Sequence, residues 1–162
     1  MDAFVEWLRA TPLSQWIVYK IWVWPLCETL HFVGLALIIG IAGFFDLRLM
    51  GFFKQISIDD ARELMPLAVA GFLLNLITGA TFFIGHPEQY AHNPAWWWKV
   101  GFLGVAGLNA LLFKVAVGRQ TVGLRPGVDT PTAAKAIGAV SLISWFAVLY
   151  FGRMLPFLGG AF

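Results

Sequence analysis

Glu28 and His31 lie three residues apart, at the head of a run, Thr29 to Phe45, that carries no formal charge before Asp46. Helical spacing puts the carboxylate and the imidazole on one face. An ionisable side chain at membrane depth is costly and ordinarily faces a partner, a cofactor or a water-filled cavity. This pair can therefore relay a proton, bind a ligand or fix helix packing through a hydrogen bond from His31 to Glu28 or to a backbone carbonyl. Cys27, one helical turn before His31, adds a soft thiol to the imidazole. That donor set suits copper(I). A buried, inert thiol is the simpler reading.

The elements that position these groups follow from composition. Hydrophobic residues make up 59% of the 162-residue chain, charged residues 12%, and the mean hydropathy is +0.76. Such a balance places it among integral membrane proteins. Each span needs about 20 residues to cross roughly 30 Å of hydrocarbon. The expectation is an all-α polytopic protein, a bundle of four transmembrane helices, with spans at about 22–45, 64–85, 97–117 and 136–155. A short amphipathic interfacial helix at about 2–11 precedes them. No soluble domain remains, no cleaved signal peptide is visible, and the dispersed charges, net +2, argue against nucleic-acid binding.

The third span is unusual, because the uncharged stretch between Lys99 and Lys114 is short, about 14 residues or roughly 21 Å of helix. At least one of these lysines must snorkel or be buried. Trp96, Trp97 and Trp98 read as an interfacial aromatic belt. The glycines of spans one and three read as close-packing faces, and Asn75, Thr78, Thr81 and Asn109 as sources of interhelical hydrogen bonds or substrate contacts.

Arg48, Lys54, Arg62, Arg119, Arg125 and Lys135 fall in the loops after spans one and three, with Lys114 nearby, seven against four on the other side, Arg9, Lys20, Lys99 and Arg153. The positive-inside rule then puts both termini outside. Glu28, His31, Lys99 and Arg153 come to the same outer half of the bundle from three spans, with His86 and His92 in the neighbouring loop. This polar cluster is the expected site. No nucleophile elbow, phosphate loop or Cys-x-x-Cys-His attachment motif accompanies it.

The stretch Trp24-Pro25-Leu26-Cys27-Glu28-Thr29-Leu30-His31, followed by Asp46-Leu47-Arg48-Leu49-Met50-Gly51, Lys99, Ala106-Gly107-Leu108-Asn109-Ala110 and Gly152-Arg153, resembles a family of uncharacterised bacterial four-helix membrane proteins. More distantly the layout is similar to HemJ-type protoporphyrinogen oxidases and CopD-type copper-resistance membrane proteins. The HemJ resemblance implies haem b, with His31 as an axial ligand working with Lys99, and matches Arg48 to an arginine closing helix one. Where that pattern has a histidine in helix three this chain has Asn109, so the resemblance implies haem b more than protoporphyrinogen oxidation. A second axial ligand would come from His86, His92 or Met154, or the iron would be five-coordinate. Glu28 would orient His31 or carry a proton, and Lys99 and Arg153 would meet propionates.

The expected function is electron transfer or tetrapyrrole-linked redox chemistry in the bacterial inner membrane, with both termini periplasmic. Copper or small-solute transport, or an accessory subunit of a larger membrane complex, are the competing classes. A small, glycine-rich bundle also suits a homo-oligomer, and the redox partner is left open.

Overall fold

The computed structural model describes residues 1–158, and every regular element among them is helical. Four helices are long and apolar enough to cross a membrane, Val23–Leu49, Ile58–Gly85, Pro94–Thr121 and Thr132–Leu158, here spans one to four. They make this a multi-pass, four-helix membrane bundle. Large apolar side chains such as Leu73, Ile77, Leu108 and Val115 lie on its outside, as lipid contact requires.

All four spans extend beyond their expected limits, span two by the turns Ile58–Glu63 at its start. Span one continues through Asp46 and Arg48, which lie inside the bundle, 4% and 0% exposed, instead of marking the start of a loop. Span three runs past both lysines. Asn93 caps it, accepting from the Ala95 N–H at 2.9 Å, and Pro94 occupies the first turn. Both are ordinary devices for starting a helix. Lys99 is half-buried and Lys114 exposed, so the short uncharged stretch is part of a longer helix.

The amino-terminal segment forms two short helices, Asp2–Arg9 and Pro12–Tyr19, broken at Thr11, whose hydroxyl caps the second. A further short helix, Pro87–Ala91, fills the connection between spans two and three.

Span one changes partner along its length. Its first part, Val23–Leu37, packs chiefly on span two, where Gly34 and Gly71 face each other. A methyl group on Gly71 would lie 2.8 Å from Leu37 Cβ and 2.9 Å from the Gly34 carbonyl oxygen. A π-helical turn at Ile38–Ala42 follows, and its wider winding re-aims the last part, Gly43–Leu49, onto span four. There Gly138 admits the Asp46 backbone, since a methyl group would sit 2.7 Å from the Asp46 carbonyl oxygen. Spans three and four pack together along their length. Two helix pairs, one with two and three with four, thus join at the end holding Gly138, the far end, and diverge at the near end, where span one begins.

The far end is tied by its loops. Span one closes in a Schellman motif, with Gly51 at φ +98° and Phe52 N–H donating to the Leu47 carbonyl. Arg48 Nε donates to the Ile56 carbonyl at 2.6 Å and Nη2 to that of Val128 at 3.3 Å, joining the connection before span two to the one before span four. Thr130 donates to the Leu49 carbonyl at 2.6 Å.

Asp129 accepts from Lys135 at 2.8 Å and pairs with Lys54 at 3.3 Å. The Lys135 bond, ahead of the Thr130 N–H and Lys54, pulls the Asp129 carboxyl from 3.8 to about 2. A carboxyl depressed on folding stabilises the folded state above its ordinary value and loses that contribution as pH falls through about 2. Protection from hydrogen exchange in residues 124–131, taken relative to the intrinsic rate at each pH, should therefore fall as pH falls from 3.8 towards 2, and Asp129→Asn should flatten that fall. Unchanged protection across this interval in the unsubstituted protein would show that the cluster does not hold the loop.

Candidate functional site

A cavity of about 860 Å³ occupies the near end, where spans one and four diverge. That size suits a cofactor-sized ligand. His31 and Glu28 contribute to its wall from span one, Gly79 and Phe82 from span two, Lys99 and Trp96 from span three, and Gly152 and Arg153 from span four. The four charged or titratable residues singled out in the sequence thus share one space.

Span two holds His31. The Thr78 hydroxyl donates to the Leu74 carbonyl at 2.8 Å within its own helix, so the lone pairs of Oγ face span one. His31 Nδ1 lies 2.7 Å from that oxygen. With the hydroxyl proton on the Leu74 carbonyl, Nδ1 is the donor, and the neutral ring in that arrangement carries its free lone pair on Nε2. Among the described residues Nε2 has no hydrogen-bond partner. Asn75 braces the same residue from behind: with its carboxamide oriented to satisfy both ends, the nitrogen donates to the His31 carbonyl at 2.7 Å and the oxygen accepts from Leu35 N–H at 3.2 Å. Phe82 packs on the imidazole, 5.6 Å between centroids.

Glu28 plays a different part from the one its spacing suggests. It is exposed, accepts from Trp24 Nε1 at 3.1 Å, and leaves the orientation of His31 to Thr78. Among the described residues no ion pair joins Glu28 to Lys99. Lys99 reaches towards span four at Gly152, where an added methyl group would lie 3.5 Å from Nζ. Arg153 is exposed on the rim, its guanidinium 5.3 Å from the centre of the Phe157 ring.

Several expected participants lie elsewhere. Asn109 stands roughly 15 Å further along the helix than Lys99 at helical rise. Its amide donates to the Ile137 carbonyl at 3.0 Å in a separate far-end cavity. His86 packs edge-on against Trp24 and lies 3.3 Å from Glu88. His92 pairs with Asp2 at 2.9 Å, tying the first amino-terminal helix to the connection before span three. These local partners keep both histidines out of the cavity wall, and Met154 and Cys27 also lie outside it. Among the described residues no three His, Cys, Asp or Glu side chains gather into a metal-binding group.

Other wall residues carry no periodic signal in the sequence. Gln89 and Tyr90 enter from the short Pro87–Ala91 helix, within a segment that reads as an exposed loop. Burial, then the nearby Glu28 carboxylate, push the Tyr90 phenol up to about 12, so it stays protonated and can donate at neutral pH. Trp96 turns inward and stacks on Phe83 at 5.4 Å. Trp97 and Trp98 are exposed, as a belt requires.

No family model, curated protein or solved structure matches this chain. The functional reading therefore rests on the cavity itself.

Proposed function

We propose that the near-end cavity holds a b-type haem, with His31 Nε2 as an axial ligand, and that the protein serves electron transfer or tetrapyrrole-linked redox chemistry. The observation that carries this reading is the chain from Leu74 through Thr78 to His31 Nδ1, which engages one ring nitrogen and leaves the other available. Second-sphere acceptors of this kind are what orient metal-ligating histidines.

The remaining wall suits the group. Phe82 and Trp96 offer apolar faces, Gly79 and Gly152 leave room that a Cβ would narrow, and Lys99 and Arg153 supply cations for two carboxylates. Bound haem would supply a one-electron couple whose potential depends on axial ligation and burial. His31 would hold the iron, Lys99 and Arg153 would set the orientation of the macrocycle, and Tyr90 would donate a hydrogen bond at the rim. His86, His92 and Met154 lie outside the wall, so His31 would be the one histidine to hold the group.

On the same reading the near end faces the periplasm of a bacterial inner membrane, with the larger basic set, which includes Arg48, Lys54, Arg119 and Lys135, cytoplasmic.

Oxidised and dithionite-reduced visible spectra of the protein purified in mild detergent, with haem quantified per chain, test the assignment. The expected result is a Soret band, non-covalent haem near one per chain, and a shift of the reduced band with carbon monoxide. A colourless protein after expression with ample haem would overturn the reading and favour ion or solute transport or an accessory role.

A further inference from the structure

The far end contains a second cavity, about 380 Å³, that the haem reading does not use. Its polar lining is Asp46 on span one, Asn109 on span three and Ser141 on span four, set among apolar residues such as Ile38, Phe45 and Trp145. Asp46 is 4% exposed, and among the described residues its Oδ2 has no hydrogen-bond partner. Ser141 sits beside the carboxyl. Asn109 uses its amide nitrogen on the Ile137 carbonyl, which leaves its oxygen as an acceptor for the same space.

The charges nearby do not neutralise this carboxyl. Arg48, two residues on, directs Nε and Nη2 at the Ile56 and Val128 carbonyls. Its Nη1 is also unpartnered, yet among the described residues no ion pair joins it to Asp46. On the first turns of span two, Ile58–Glu63, Arg62 pairs with Asp59, and Asp60 and Glu63 stand outside the cavity. On span four Lys135 is bound to Asp129, and on span three Lys114 is exposed. None of them lines the cavity. An unpaired carboxylate in an apolar space is costly, and the usual escape is to take up a proton. Three polar side chains are too few for a calcium ion, which takes about 6–8 oxygens.

We propose that Asp46 is a membrane-embedded proton-binding site: the carboxylate takes up one H⁺ to become a neutral acid in the far-end cavity and returns to carboxylate when a base or water reaches it. Ser141 is a positioning residue beside the carboxyl, and the Asn109 amide oxygen is an acceptor in the same cavity for the acid proton. The site stands independently of what fills the near-end cavity.

An apolar carbodiimide reads this state, because the acid proton passes to a reagent nitrogen as the carboxyl oxygen attacks the central carbon. Purified protein treated with dicyclohexylcarbodiimide and mapped by mass spectrometry should carry the adduct on Asp46 at neutral pH. Labelling should fall about tenfold per pH unit above its midpoint, as the protonated fraction does. A water-soluble carbodiimide should leave Asp46 unmodified, and Ser141→Ala should move the midpoint while retaining the label. A protonated-carboxyl infrared band that disappears in Asp46→Asn provides a reading that needs no reagent access. Modification by the water-soluble reagent, pH-independent labelling, or the absence of both the adduct and an Asp46-dependent band would each overturn the proposal.

Discussion

His31→Ala should purify as a folded helical protein with no retained haem. The substitution removes the one nitrogen that Thr78 leaves free, and among the described residues no other histidine lines the cavity. A thermal or chemical stability near that of the unsubstituted protein stripped of haem would show that the loss is one of ligation. Thr78→Val gives the graded case. It keeps the shape but removes the oxygen that accepts from Nδ1, so the imidazole can turn and change tautomer. Second-sphere losses of this type cost about 10–100-fold in metal affinity. Haem titration of the stripped proteins measures both effects, and unchanged haem stoichiometry in His31→Ala would sink the assignment of the ligand.

Arg48→Ala should be the most damaging substitution for stability outside the cavity. The side chain is fully buried and donates to carbonyls in two different connections, Ile56 and Val128. Hydrogen bonds from a charged group contribute about 1.5–3 kcal/mol each. The bond to Ile56 is short and the bond to Val128 long, at 3.3 Å. A loss of about 2–4 kcal/mol is therefore expected. Arg48→Lys should recover less than half, because an ammonium on a flexible stem lacks the planar fork that spans two acceptors. Unfolding in mild detergent, followed by helical circular dichroism across a denaturant series, measures the difference. Equal stability of Arg48→Ala and the unsubstituted protein would mean that the two connections hold without it.

The four spans are legible in the sequence because apolar runs of membrane length have few other uses. Their ends are less so, for a definite reason. Asp46 and Arg48 read as the start of a loop, since charge normally marks the membrane boundary, yet both are internal because span four and the far-end connections supply them with surroundings. Span three, expected at about 97–117, likewise runs further at both ends, from Pro94 to Thr121, with Lys99 and Lys114 inside it.

Within the site, spacing and topology bring Glu28, His31, Lys99 and Arg153 to one end, and the structure places them around one cavity. The role of Thr78 is hidden, because the sequence names polar residues on span two but not which of them meets His31. Resemblance alone draws Asn109 into the cluster, while its depth along span three separates it from Lys99 by nearly three turns. His86 and His92 qualify by chemistry alone, and their carboxylate neighbours hold them elsewhere.

The close approach at Gly138 also has a mechanical side. With the two helix pairs pressed together there and spread at the other end, the crossing acts as a fulcrum and each pair as a lever arm. Gly138 and Gly152 are about four helical turns apart on span four, roughly 21 Å of arm, so a tilt of about 5° would move the Gly152 wall by roughly 2 Å. A change in the crossing angle at Gly138 would therefore alter the cavity's width from the opposite end of the bundle.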